Sequence, residues 1–331
     1  MKKALVTGGC GFIGSHLVKN LVDNDWHVTV VDDLSSGSLE NLYQKVKFRS
    51  VIPGMIDAFL STVLLEREEV LVITGDFSDG WVLSHIRDHG YTHVFHLAAN
   101  PRVEFSVQYP ASTNHVNVQK TIELLTACKH AKIEKFVFAS SSAVYGDITK
   151  IPTPEESDKK PNSPYGLQKL IVEQYLSLFE KLYGLNSVSL RFANVYGPNS
   201  DGSSPYSTAI GAWCQRLKDE IPLRSDGDGN QSRDMIYVKD VAEALRYFGN
   251  HPFISGSVPL NIGTGEAISN NEILQKIKEK VGSFEVENAP ARQGDVRKTQ
   301  LDVSKANELG WNPKFSFDSG LNETLKWWEL A

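Results

Sequence analysis

The sequence predicts an α/β protein built on a doubly wound parallel sheet. Three observations carry that expectation. Short β-rich runs alternate with helical patterns through the first half of the chain, a glycine-rich turn joins the first run to the first helix, and the pattern loosens after Phe192. The expected strands are Lys3–Thr7, His27–Asp32, Val70–Thr74, Thr92–Ala98, Lys135–Ser141 and Asn186–Phe192. Most are nearly continuous apolar runs, as parallel strands covered on both faces require. Between them the pattern predicts helices over Phe12–Asn24, Asp79–His89, Ala111–Ala131 and Pro164–Tyr183. The last carries a helical stripe of Leu167, Leu170, Ile171, Leu178 and Leu182. Strand–helix–strand alternation implies right-handed crossovers. Beyond residue 192, loops rich in Gly, Pro, Ser and Asp (197–205 and 225–230) separate shorter elements. They suggest domains of residues 1–192 and 193–331, with the chain crossing back to the first around 236–262.

The length of 331 residues allows about two domains. A hydrophobic content of 41% and a charged content of 22% are those of a globular chain and rule out wholesale disorder. Thirty-four basic against 40 acidic residues give a net charge of −6, which argues against nucleic acid as a partner. The longest apolar stretch, Val51 to Leu65, is broken by Pro53, Gly54 and Asp57, so no membrane span is expected. The start, MKKALVTGG, has too short an apolar run for a signal peptide. Cys10, Cys128 and Cys214 are odd in number and lack metal-ligand spacing. They point to a reduced, cytoplasmic protein with no metal site.

The turn is ALVTGGCGFIGSHL, with Gly8, Gly9, Gly11 and Gly14 between strand and helix. Glycines let the backbone approach a pyrophosphate, and the following helix points its first amides at the negative charge. Asp32 closes the second strand 18 residues past Gly14. A carboxylate there accepts from ribose hydroxyls and repels a 2′-phosphate, which favours NAD over NADP. The expected cofactor contacts are Gly8, Gly11, Phe12, Ile13, Gly14, Asp32 and Asp33 of a Rossmann-like domain. Cys10 reads as a small residue beside a phosphate rather than a reactive thiol. Asp76 either reaches the adenine amino group or caps the following helix.

Tyr165 and Lys169 stand in SPYGLQK, where Ser163 and Pro164 mark a helix start. A spacing of four places both on one helical face. A phenol near pKa 10 is a poor base at neutral pH. A neighbouring ammonium and the positive nicotinamide of NAD are expected to favour the phenolate. Tyr43 and Lys47 share the spacing but lie in a polar stretch with no strand end before them, and read as solvated surface. The fifth strand ends in FASSSAVYG, so hydroxyls of Ser140, Ser141 and Ser142 emerge where ligands gather in a parallel sheet. Any one of them either bridges substrate to the phenolate or satisfies strand-end backbone.

Taken in order, TGGCGFIG, Asp32, HLAA, SSSAVYG, YGLQK, RFANVYGP, DGDGNQSRDMIYVKDVAEA, NIGTG and ARQGDV resemble the extended short-chain dehydrogenase/reductase family, and within it the nucleotide-sugar epimerases and dehydratases. The resemblance covers nearly the whole chain. It implies a seven-stranded Rossmann-like domain holding NAD tightly and a smaller C-terminal substrate-binding lobe gripping a nucleoside-diphosphate sugar. It makes Tyr165 the base, Lys169 its partner on the nicotinamide ribose, and Ser141 the bridging hydroxyl, with Ser142 beside it at the substrate. It adds Leu97, Ala98 and Ala99 of HLAA and Asn117 to the cofactor side. It matches Asn194, Arg233 and Arg292 to the sugar diphosphate, a task that suits the planar guanidinium fork. A homodimer through Ala111–Ala131 and Pro164–Tyr183 is typical of relatives.

C4–H of a sugar is not acidic, so inversion there needs oxidation to a 4-keto sugar and return of hydride to the other face. A 4,6-dehydratase of this family places Asp–Glu after its catalytic Thr, and its decarboxylases often carry Glu at the second position. This chain has Ser142–Ala143. The resemblance therefore implies a 4-epimerase of a UDP-hexose or UDP-N-acetylhexosamine, ahead of a dehydratase, decarboxylase, reductase or non-catalytic NAD-binding scaffold. Thr299 falls where such epimerases limit room beside the sugar, and a small residue there suggests that N-acetylated sugars fit. The span between Asp32 and Asp76 is longer than usual for the family. Its apolar segment VIPGMIDAFLSTVLL reads as an extra helix packed on the NAD lobe.

Overall fold

The computed structural model describes residues 2–55, 68–147, 150–203, 208–290 and 297–331. Among them lie strands β1 (Lys3–Thr7), β2 (His27–Asp32), β3 (Phe48–Val51), β4 (Val70–Thr74), β5 (His93–His96), β6 (Lys135–Ser141), β7 (Ser187–Phe192), β8 (Asn194–Tyr196), β9 (Leu223–Asp226), β10 (Ser232–Tyr237), β11 (Ser257–Ile262), β12 (Ala267–Ser269) and β13 (Val286–Ala289). Eight of them form one sheet in the order β11-β7-β6-β5-β1-β2-β4-β3. The pairings β1–β2, β1–β5, β2–β4, β3–β4 and β5–β6 are parallel. The order reverses between β5 and β2 around β1, so the first turn of the chain opens at the crevice where doubly wound sheets bind ligands.

The sheet has one strand more than the expected seven, and the two members that the pattern did not mark, β3 and β11, are its two edges. An edge strand needs no continuous apolar run and tolerates proline. β3 reads FRSV with only Val51 buried, and β11 reads SVPLNI with its first half partly exposed. The expected strands in the interior all form. Their buried residues pack with helix side chains into a core that includes Leu5, Val31, Ile73, Val94, Phe136, Leu124 and Leu176.

The helix expected over 111–131 is not continuous. It forms as Pro110–Asn114, a π-helical turn His115–Gln119 and Lys120–Ala131. Such one-turn widenings cluster at functional sites, and hydrophobic periodicity does not register them. The apolar segment predicted as an extra helix lies largely in residues 56–67, outside the described residues.

Contacts divide the chain into two compact units. The first comprises residues 1–144, 161–191 and 242–259, and the second 145–160, 192–241 and 260–331. The second unit carries a three-stranded sheet of order β12-β10-β8 and a pair β13-β9.

The helix Pro164–Tyr183 forms over the expected residues. The Ser163 hydroxyl accepts from Gly166 N at 3.1 Å, Pro164 occupies the first turn, and Gly184 at φ 70° ends it. Replacing Ser163 by Ala is expected to destabilise the protein by about 1 kcal/mol in urea unfolding. No change in the unfolding midpoint would contradict the cap.

Candidate active site

The glycine-rich turn is compact because its glycines leave no alternative. Gly8 has φ 73° and donates from N to Val31 O at 2.8 Å. A Cβ on Gly8 would lie 2.7 Å from Ala98 N, and one on Gly14 would lie 2.0 Å from Gly8 O. The turn is thereby pressed against Leu97 and Ala98, whose amides both donate to Thr7 O at 3.1 Å. The helix Phe12–Asp23 starts at Gly11, which offers no side-chain cap to the first-turn amides. Phe12, Ile13 and Gly14 form that first turn, and Ala99 follows on the facing loop.

Asp32 is buried, and its two carboxylate oxygens accept from Cys10 N at 2.8 Å and Leu34 N at 2.9 Å. Burial raises its pKa, against the pull of these two amides. Asp33 is exposed and accepts from Ser35 N and Oγ at 2.9 and 2.6 Å. Burial and the neighbouring Asp32 push the Cys10 thiol above its ordinary range, so it is inert. A backbone cradle and a buried carboxylate at the next strand end are what the pyrophosphate and ribose of a dinucleotide require.

Asp76 does not cap the following helix. Asp79 caps the helix Gly80–Asp88, while Asp76 accepts from Ser78 N and Oγ, both at 2.8 Å, and pairs with Lys120. Burial opposes ionisation of Asp76, but the Lys120 and Ser78 hydrogen bonds outweigh it and hold the carboxyl below its usual range. Asn117 is buried on the π-helical turn. Its Oδ1 accepts from Asn100 N at 2.7 Å, and its Nδ2 donates to Asn100 O at 3.0 Å and Gln168 Oε1 at 2.8 Å. It thus ties the loop after HLAA to the helix Pro164–Tyr183.

That helix presents Tyr165 and Lys169 to the end of β6. The Tyr165 hydroxyl is hydrogen-bonded to the Ser141 hydroxyl, and Tyr165 N donates to Ser106 Oγ at 3.1 Å. Lys169 Nζ donates to Ala139 O at 2.7 Å and lies 5.7 Å from the centre of the Tyr165 ring. Gly166 permits this approach, since a Cβ on it would lie 2.4 Å from Ala143 O. The decoy pair is surface, with Tyr43 68% exposed.

Burial dominates the electrostatics of the chain's own groups here. Burial pushes Tyr165 up to about 12, opposed by the Ser141 hydrogen bond. Burial pushes Lys169 down to about 7, opposed by the charge of Glu173. Desolvation disfavours both charged forms and is the larger effect on each. The chain's own groups therefore keep the phenol neutral at pH 7, and a further positive charge is needed beside it.

The serines divide their labour. Ser141 Oγ also accepts from Ala143 N at 3.2 Å, while Ser140 turns away and donates to Glu173 Oε1 at 2.6 Å. Ser142 opens the 3-10 turn Ser142–Tyr145, with Ala143 next, so no carboxylate follows Ser141.

In the second unit, Asn194 is exposed at the start of β8, which pairs with β10 so that Asn194 stands opposite Met235. Arg233 lies on β10 and donates from a terminal guanidinium nitrogen to Ser232 O at 3.0 Å. The next residue, Asp234, is buried and accepts from Thr264 N and Oγ1, both at 2.8 Å, and Gly265 N at 3.1 Å. A Cβ on Gly263 would lie 2.5 Å from Asp234 Oδ2, which explains the first glycine of NIGTG, and Gly265 takes φ 75°. Arg292 lies outside the described residues.

The sequence model of the NAD dependent epimerase/dehydratase family matches residues 4–263. The chain belongs to that family. It is 35% identical over 333 residues to the UDP-glucose 4-epimerase of Mycolicibacterium smegmatis, covering 98% of this chain and 97% of that one. A UDP-N-acetylglucosamine 4-epimerase from Methanobrevibacter ruminantium, solved with UDP-N-acetylmuramic acid, superposes with a TM-score of 0.88 at 34% identity, covering 99% and 98% of the two chains. The UDP-glucose 4-epimerase of Thermus thermophilus, solved with NAD, gives a TM-score of 0.84 at 34% identity, covering 99% of each chain. The family is NAD-dependent, and the loop and carboxylate described above suit that cofactor. Gly14→Ala is expected to weaken NAD binding by about tenfold or more, read as cofactor content and by titration calorimetry. Gly54→Ala, whose Cβ would meet nothing within 4 Å, is the control. Full NAD content in Gly14→Ala would contradict this reading of the loop.

Proposed function

We propose that the chain is an isomerase, an NAD-dependent 4-epimerase of UDP-hexoses or UDP-N-acetylhexosamines. The observation that carries this reading is the contact set at the end of β6. A phenol bonded to Ser141 stands beside a buried lysine, and Ser142 and Ala143 provide no acid–base pair for elimination or decarboxylation. Tyr165 takes the proton from the sugar O4 and later returns it, and Ser141 relays between that hydroxyl and the phenol. Bound NAD supplies a reversible acceptor for the C4 hydrogen and a positive ring beside Tyr165. Lys169 holds the nicotinamide ribose and contributes its charge to the phenolate. The transient 4-keto sugar turns over before its C4 is reduced again.

We assign Gly8, Gly11, Phe12, Ile13, Gly14, Asp32 and Asp33 to the dinucleotide, with Leu97, Ala98 and Ala99 along it. Asp76 stays assigned to the adenine side. Asn117 shapes that side through Asn100 rather than through a side-chain group of its own, because its amide is already engaged. Asn194, Arg233 and Arg292 are assigned to the sugar diphosphate, so the first unit serves NAD and the second mainly the nucleotide sugar. Thr299 is held along β10, with its N donating to Ser232 O at 3.0 Å and its O accepting from Asp234 N at 2.9 Å. Its small side chain supports acceptance of N-acetylated sugars. Leu167, Leu178 and Leu182 are about half exposed on the helix Pro164–Tyr183, which supports a homodimer through that helix. Among the described residues no helix is long and apolar enough to cross a membrane.

The test is incubation with UDP-glucose and UDP-N-acetylglucosamine deuterated at C4, followed by product stereochemistry by NMR. The expected products are the C4 epimers with deuterium retained at C4 and no requirement for added NADPH. Loss of the C6 hydroxyl, release of carbon dioxide or washout of the label would overturn the assignment. Turnover of UDP-glucose alone would overturn the reading of Thr299.

A further inference from the structure

Beneath Lys169, one helical turn further along the helix, lies a polar cluster to which the mechanism above gives no task. Glu173 is paired with Arg191 of β7, and the two side chains are only 9% and 2% exposed. Glu173 Oε1 accepts from Arg191 Nε at 3.0 Å and from Ser140 Oγ at 2.6 Å, and Glu173 Oε2 accepts from a terminal nitrogen of Arg191 at 2.6 Å. Ser140 sits between two residues that hold the catalytic side chains. Ala139 offers its carbonyl to Lys169, and Ser141 its hydroxyl to Tyr165. A buried ion pair of this kind is a poor source of stability, because desolvation cancels much of the attraction. Its placement points to another use.

We propose that Glu173 is a positioning residue for the reaction: through Ser140 it fixes the β6 end that holds Tyr165 and Lys169, and it sets its carboxylate one helical turn from Lys169. The groups facing that ammonium are few. Tyr165 and Glu173 come from its own helix, His96 from β5, and Arg191 from β7 stands behind Glu173. His96 is held by Thr7 Oγ1 at 2.7 Å and Thr121 Oγ1 at 2.9 Å. Burial, aided by the charge of Lys169, pushes His96 down to about 3, so it stays neutral through the working range. Glu173 is the anion facing Lys169 among the described residues, and its charge opposes the burial that pushes the lysine down.

The proposal rests on the reading of Tyr165 and Lys169 as the reacting pair, and the experiment separates the two. In Glu173→Gln the alkaline limb of kcat is expected to move down by about one pH unit, so that kcat falls about tenfold at pH 8 and stays within about twofold at pH 6, with KM unchanged. Glu173→Asp, which keeps the charge, is expected to return the limb to within about 0.3 unit of wild type. In protein labelled with 13Cε-lysine, the Lys169 resonance, identified by its loss in Lys169→Met, is expected to titrate lower in Glu173→Gln by the same amount. If Glu173→Gln fails to fold once its ion pair with Arg191 is lost, the double variant E173Q/R191M gives the same two readouts. An unshifted limb together with an unshifted Lys169 titration would overturn the proposal, as would an equal loss of kcat at every pH. A wild-type enzyme that epimerises nothing would defeat the functional reading, and the Lys169 titration would then decide the role of Glu173 by itself.

Discussion

A charged pair must form where burial opposes charge; the rest of the site follows from that constraint. C4–H of a sugar is not acidic, so the reaction needs a base able to take the O4 proton as the carbon is oxidised. The residue proposed to do so is a phenol in a protein interior, and its proposed partner is a buried lysine. Desolvation favours the neutral form of each, which is why Tyr165 sits near 12 and Lys169 near 7. Proximity of the ammonium alone does not overcome this. In the proposed mechanism the Ser141 hydrogen bond, a charged Lys169 and the positive ring of NAD together favour the phenolate. Under the proposed mechanism such a base would ionise beside the oxidised cofactor, which would link proton removal to the capacity to accept the C4 hydrogen.

The fold meets the constraint with backbone more than with side chains. Parallel strands end at one edge of the sheet, and the turn after β1 and the segment after β6 both open there. Gly14 lets the loop close on itself, and Gly166 lets the helix lie against the backbone after Ser141. Asn117 and Gln168 then join that helix to the loop after β5, and Gln168 Nε2 donates onward to Thr113 Oγ1 at 2.9 Å. Movement of the helix would break several buried hydrogen bonds at once, so the distances between the reacting groups are set by the scaffold.

Most of the fold and the meeting of Tyr165, Lys169 and Ser141 at the end of β6 were legible in the sequence because both leave strong local marks. Interior strands read as apolar runs, the helix carrying Tyr165 announces its start with Ser163–Pro164, and the glycines sit where a Cβ would collide. What escaped notice has physical reasons. β3 and β11 are edge strands and need no apolar run. The π-helical turn around Asn117 widens a helix without changing its composition. Glu173 and Arg191 are 18 positions apart and become a pair only when the helix packs on β7. The pairing of Asp76 with Lys120 joins residues 44 positions apart, which no local pattern marks. The expectation for Tyr165 rested on the ammonium and the nicotinamide, and burial, which is a tertiary quantity, leaves no mark in the sequence. Arg292 and most of the apolar segment after Val51 lie outside the described residues, so the structure adds nothing to them.

The most direct test of this account is replacement of the one group that must carry the proton. Tyr165→Phe keeps the ring and its packing and removes only the hydroxyl. The expected result is a fall in the interconversion of the C4 epimers of about a thousandfold, with NAD content and KM little changed. Interconversion at the wild-type rate in that variant would contradict the mechanism.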